Sequence, residues 1–140
     1  MPKTSKDLAL FCSKLIYDKL AEDIIILDLT KIDSAPADYF IICSSSSEHQ
    51  SNAILDNILR NSKNADLKKP RVEGAENAEW ILVDYFDVVV HIMLKQIRKF
   101  FKLEKLWVDA IFYKFNENTK KLNKINQTDT FKLINNIFND

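Results

Sequence analysis

Glycine occurs once in the 140 residues, at Gly74, and that scarcity excludes several kinds of chemistry. A loop that cradles phosphate needs glycines so that backbone N–H groups can approach the anion. Neither a GxGxxG turn nor a Walker-type loop can be written with one. The serine run 44–47 likewise lacks the GxSxG elbow of a hydrolase nucleophile. Cysteine is sparse too. Cys12 and Cys43 form no CxxC or metal spacing, and their apolar neighbours mark them as buried free thiols of a reducing compartment. Neither sign of charge is in excess, with 20 basic and 20 acidic residues and a pI of about 6.7. A free-standing polybasic nucleic-acid binder would usually exceed a pI of about 9, so any such contact is confined to a local patch. The longest apolar runs, such as 24–27 and 39–43, are too short to span a bilayer. The start, MPKTSKDLALF, has no signal-peptide core, which predicts a cytoplasmic protein. Lysine far outnumbers arginine, a bias of nucleotide composition.

What is present supports one folded α/β unit. Hydrophobic residues make up 46% of the chain, enough for a core. Leu8, Phe11, Cys12, Leu15 and Ile16 recur at helical spacing and predict a helix over 7–20. IIILDL (24–29) and YFIIC (39–43) are continuous apolar runs, as expected of strands covered on both faces, with a turn through Pro36 between them. Ser47 and Gln50 have capping-box spacing, which starts a helix that runs to about Ser62 and buries Ile54, Leu55, Ile58 and Leu59. RVEG around Gly74 reads as a short edge segment with a positive-φ turn. WILVDY (80–85) and DVVVHIM (87–93) read as strands joined by a tight turn at Asp84–Asp87, and a basic, aromatic helix covers 94–107. The order α-β-β-α-(β)-β-β-α predicts a single-layer mixed β-sheet flanked by helices. Residues 1–109 form the domain. Residues 110–140 read as an extension, a polar loop followed by a short helix with Phe131, Ile134, Ile137 and Phe138 on one face. Deleting 116–140 is expected to leave the domain folded.

Catalytic constellations are thin. His49 beside the serine run allows a Ser–His pair, but a polar loop capping a helix accounts for the same residues. His49 and His91 lack a spaced third ligand for a metal. Metal-dependent phosphoryl transfer would want carboxylates at i and i+2 on one strand face. None occurs in 24–29, 80–85 or 87–93, and turn formation explains Asp84 and Asp87. No cofactor is expected.

The helix predicted over 94–107 stands out. Lys95, Arg98, Lys99, Lys102 and Lys105 fall near one stripe, and Glu104 is the only acid among them. Phe100, Phe101, Leu103, Leu106 and Trp107 lie beside it; Ile97, Phe100 and Phe101 are candidates to face the core, and the remainder is more apolar surface than one helix needs. Two readings stand. One is a solvated lysine face of an ordinary amphipathic helix. The other is a docking face, with His91 and Met93 exposed at the end of the preceding strand.

Four stretches are more specific in combination. AEDIIILDLT, ADYFIICSSSSEHQ, RVEGAENAEWILVDYFDVVVHIM and RKFFKLEKLW resemble, in order and spacing, the Iojap-like ribosomal silencing factor (RsfS) family. The resemblance covers about residues 8–109. Its strongest elements are Glu73–Gly74, Trp80 with Asp84, Val90–His91, and Arg98 through Trp107. It implies a nucleotidyltransferase-like fold without the catalytic carboxylates, hence no enzyme. It also implies a translation repressor that binds the large ribosomal subunit through the fourteenth ribosomal protein of the standard series. There it would block small-subunit joining and lower translation when nutrients are short. Assembly of the large subunit and a nucleotidyltransferase-like enzyme are the alternatives. The implied contact residues are Trp80, His91, Met93, Arg98, Phe101, Leu103, Glu104, Leu106 and Trp107. No direct nucleic-acid specificity and no membrane partner are implied, and the protein would act as a monomer or homodimer. The chain departs from the family pattern at Ser45, where glycine is usual, at His49, where a basic residue is common, and at Phe101, where tyrosine is frequent.

Overall fold

The computed structural model describes residues 2–138. Helix α1 (Ser5–Asp18) starts where Thr4 accepts the Asp7 N–H at 3.0 Å, and its apolar stripe buries Cys12, Leu15 and Ile16. Strands β1 (Glu22–Asp28) and β2 (Tyr39–Ser45) follow, and every residue of β2 is buried. Helix α2 (Glu48–Asn64) is capped by Ser47 as expected, with Gln50 reaching back one residue further than a capping box requires. The Ser47 hydroxyl accepts the Gln50 N–H, while Gln50 Oε1 accepts the Ser46 N–H at 2.7 Å. Gln50 Nε2 then donates to the carbonyls of Lys19 and Leu20, tying this loop to the end of α1.

Strands β3 (Arg71–Glu73), β4 (Trp80–Asp84) and β5 (Val88–Leu94) complete one half of the sheet. Gly74 has φ +82° because the chain passes tightly over β4. A Cβ at this position would lie 2.1 Å from the Trp80 carbonyl oxygen. Asp84 Oδ1 accepts the Phe86 N–H at 2.7 Å, so this carboxylate builds the β4–β5 turn. After β5 come α3 (Lys95–Phe101) and α4 (Leu103–Leu106). The single helix expected over 94–107 is in fact broken at Lys102, which is left-handed at φ 50° and closes α3 by donating its N–H to Arg98 O at 3.0 Å.

The region after 110 also differs from expectation. It forms β6 (Ile111–Asn116), β7 (Lys121–Lys124) and α5 (Gln127–Phe138), where the sequence reading had a polar loop and one helix. The sheet order is β3-β4-β5-β2-β1-β6-β7, parallel only between β2 and β5. The β6–β7 hairpin is therefore the sheet's own far edge and not an appendage. Its β6 pairs with β1 from Ile25↔Lys114 to Asp28↔Ile111 and drives Phe112 into the core. The polar residues that suggested a loop are the turn and the solvent side of an edge hairpin.

Side chains alternate across the sheet and make two cores. On one face Ile26, Ile41, Cys43, Ile81, Val90 and Ile92 pack under α1 and α2. On the other, Ile25, Leu27, Phe40, Ile42, Met93 and Phe112 meet Leu103 of α4 and Ile134 and Ile137 of α5. No helix among the described residues is long and apolar enough to cross a membrane.

Candidate functional site

The second face is unevenly covered, and the candidate site lies on its thinner half. Trp80 on β4 pairs with Met93 on β5, and Leu82 pairs with His91. Trp80, Leu82 and Val89 are each only part-buried. The break at Lys102 turns the chain so that α3 and α4 hang over this half and present apolar side chains outward. Phe100 is 77% exposed, Phe101 50% and Leu106 74%.

A run of aromatic contacts links these elements. Phe100 meets Phe101 edge-on at 5.0 Å, and Phe101 lies 5.1 Å from Trp80. His91 packs edge-on to Phe40 at 4.6 Å, and Phe40 meets Trp107 edge-on at 5.9 Å. Trp80 and His91 join the two ends, since Trp80 Nε1 donates to His91 Nδ1 at 3.1 Å. Burial pushes the His91 imidazole down to about 3, so it is neutral.

The nine residues implied by the resemblance separate into two levels. Trp80, Phe101, Leu106 and Trp107 reach the surface. His91, Met93, Arg98, Leu103 and Glu104 are buried. His91 and Met93 were expected to be exposed at the strand end, but α3 and α4 fold back over them. Arg98 likewise leaves the basic stripe. It is fully buried, with Nε donating to Glu104 Oε2 at 2.7 Å and Nη1 donating to Asp23 O at 2.7 Å and Ser44 Oγ at 2.9 Å. One guanidinium thus fastens α3 to α4, β1 and β2. The signal in the sequence was Glu104 itself, the one acid in a basic segment. Of the remaining cations, Lys95 pairs with Glu22 at 2.9 Å at the surface, and Lys105 lies over the Phe138 ring at 5.4 Å. Phe100 and Phe101, candidates for the core from the sequence, instead lie outward because of the way the break at Lys102 turns α3 and α4, and Leu82, which the sequence reading did not single out, is part-buried on the same face.

The other candidates resolve as structure. His49 is exposed, the Ser45 hydroxyl donates to Ser47 O, and Ser47 caps α2, as the helix-capping reading requires. Cys12 and Cys43 are buried, which pushes each thiol up to about 12. Among the described residues no group of three or more His, Cys, Asp or Glu could hold a metal ion.

Comparison with known proteins agrees with this architecture. A family model described as "Ribosomal silencing factor during starvation" matches residues 2–135. The ribosomal silencing factor RsfS of Bacillus subtilis (strain 168) is 45% identical over 93 residues, covering 66% of this chain and 78% of that protein. A crystal structure of a Chromobacterium violaceum protein superposes with a TM-score of 0.71 at 31% identity, over 75% of this chain and 87% of that one. A Mus musculus protein named for mitochondrial assembly of the ribosomal large subunit is 28% identical over 96 residues, covering 66% of this chain and 42% of that protein. With a family match over nearly its whole length and the same open mixed sheet, the chain belongs to the ribosomal silencing factor family.

Proposed function

We propose that this protein is a non-enzymatic translation repressor that acts in the cytoplasm. It binds the free large ribosomal subunit at a protein on the subunit interface, the fourteenth of the standard series, and its bulk there blocks the small subunit. The observation that carries this reading is the patch of Trp80, Phe100, Phe101, Leu106 and Trp107. Phe100, Phe101 and Leu106 are exposed, and the part-buried Trp80 and Trp107 lie beside them at the margin of the second core, all on one half of one sheet face. Contiguous apolar surface of this kind, rich in tryptophan and phenylalanine, is how protein–protein interfaces are built. Steric exclusion needs no bond to be made or broken, which suits a chain whose serines cap, whose aspartates turn and whose thiols are buried and protonated.

Co-sedimentation with separated ribosomal subunits tests the proposal. The expected result is binding to the large subunit, none to the small, and fewer joined ribosomes when both are present. Binding to the small subunit alone would overturn it. A second reading, assembly of the large subunit, is favoured by the name of the mouse relative. It predicts that the protein associates with immature large-subunit particles and not with finished ones.

A further inference from the structure

We infer that His91 is the positioning residue of the docking face: it holds the Trp80 indole in its docking pose from below. This deepens the proposed function and rests on the reading that Trp80 is an anchor.

The argument begins with what each side chain does. Trp80 is part-buried on β4 at the rim of the sheet, where an indole has several rotamers open to it. Besides its packing at the margin of the second core, two contacts direct it. Phe101 packs against one side at 5.1 Å, but Phe101 is itself half exposed and belongs to a short helix. The other contact is the hydrogen bond from Nε1 to His91 Nδ1, which comes from a central strand. His91 is the rigid partner. It is buried on β5 and wedged edge-on against Phe40 at 4.6 Å, and Phe40 is braced by Trp107. The indole of one part-buried anchor is therefore referred, through one imidazole, to the middle of the sheet and to the second part-buried tryptophan.

The chemistry of the bond sets the tautomer. Nδ1 accepts, so the neutral ring carries its proton on Nε2. That N–H is buried and finds no acceptor among the described residues. A buried donor without a partner destabilises a fold, and an apolar ring at this site would avoid the penalty while packing on Phe40 just as well. Histidine here weakens the free protein and orients Trp80, a trade characteristic of functional positions. Holding the indole before contact also lowers the entropy lost when it is immobilised in a complex.

The test uses the full chain and purified large ribosomal subunits. His91→Phe keeps the aromatic packing and removes the acceptor. Its affinity should fall roughly five- to tenfold, the worth of about one hydrogen bond, while its melting temperature stays level or rises. His91→Asn places an amide oxygen near the Nδ1 position and should recover much of the affinity. In a Trp80→Phe background, which has no N–H to hold, His91→Phe should change affinity no further. The two tryptophans give two indole N–H resonances, and His91→Phe should move that of Trp80 far more than that of Trp107. If Trp80→Ala weakens binding but His91→Phe does not, the positioning role is overturned and the docking face stands. An equal loss for His91→Phe in both backgrounds overturns the role too. If Trp80→Ala binds like wild type, the docking reading fails and the positioning role fails with it.

Discussion

Arg98 invites a test that separates an interface anchor from a buried strut. Its guanidinium has no exposure and pairs with one carboxylate of α4, so Glu104→Ala removes the only countercharge among the described residues and leaves Nε without its acceptor. Breaking a buried pair from one side typically costs about 3–5 kcal/mol, because the remaining charge stays desolvated. That is a large share of the roughly 5–15 kcal/mol by which a domain is stable. For a chain of this length it corresponds to a fall in melting temperature of roughly 10–15 °C. Replacing both partners should behave differently. Arg98→Met with Glu104→Leu removes both charges together and should recover most of the loss, since well-packed apolar replacements of buried pairs are often neutral or better. The assays are thermal and urea unfolding of the two single variants and the double. Binding to large subunits, measured well below each melting point, should follow the folded fraction for Glu104→Ala. A Glu104→Ala protein that melts within a degree or two of wild type would refute the reasoning. A double variant as unstable as the single would show that side-chain shape, not the stranded charge, sets the penalty.

Other outcomes follow from particular atoms. His91 is held well below its ordinary value, at about 3, so the unfolded chain takes a proton near 6.5 that the folded chain refuses. Stability should therefore fall as pH drops through the window from 6.5 towards 3. Between 6.5 and 5 the loss from this site is about 2 kcal/mol, visible as a difference in urea midpoints that His91→Phe abolishes. Gly74→Ala should destabilise by more than about 2 kcal/mol, because its Cβ would lie 2.1 Å from the Trp80 carbonyl oxygen at a positive φ, and large-subunit binding should fall with it. Leu20 is 78% exposed and left-handed at φ 65°, so Leu20→Gly should raise the melting temperature by a few degrees. Ending the chain before α5 should cost about 3–6 kcal/mol, from the lost burial of Ile134 and Ile137, and a truncation that melts like wild type would show that this helix does not seal the second core.

The parts of the fold that were legible are those with local signals. The stripe of α1, the capping pair of α2 and the continuous apolar runs of β1 and β2 depend on neighbours a few residues away, and the structure has them at those places. The β6–β7 hairpin was missed although IFYKFN carries Phe112 for one core and Tyr113 and Phe115 for the other. Its strand β6 is held by pairing to β1, some eighty-five residues earlier, and the residues of its turn and of β7 are polar enough to pass for a loop. The break at Lys102 has no glycine or proline to announce it, since a lysine takes the left-handed cap. The site divides the same way. Trp80, Phe101, Leu106 and Trp107 came from the family resemblance, and all four reach the surface. Helical spacing alone gave no means of telling that Arg98 points inward, because a stripe records direction around the axis and not what lies over it.

The position of β6 has a consequence for how the chain is made. Strands β1 to β5 are all synthesised by Leu94, yet the outer edge of β1, the apolar run Ile24–Leu27, has no neighbour until Asn116 has emerged. At about 5–20 residues per second, the stretch from Leu94 to Lys124 takes roughly 2–6 s. For that interval the nascent protein carries an open, sticky strand edge, the feature most prone to pair with another chain. Once β7 is in place, the edge of the finished sheet is four residues long and begins and ends in lysine. Interrupted translation between these points would leave fragments with an unguarded edge, and these are the species to look for among insoluble products.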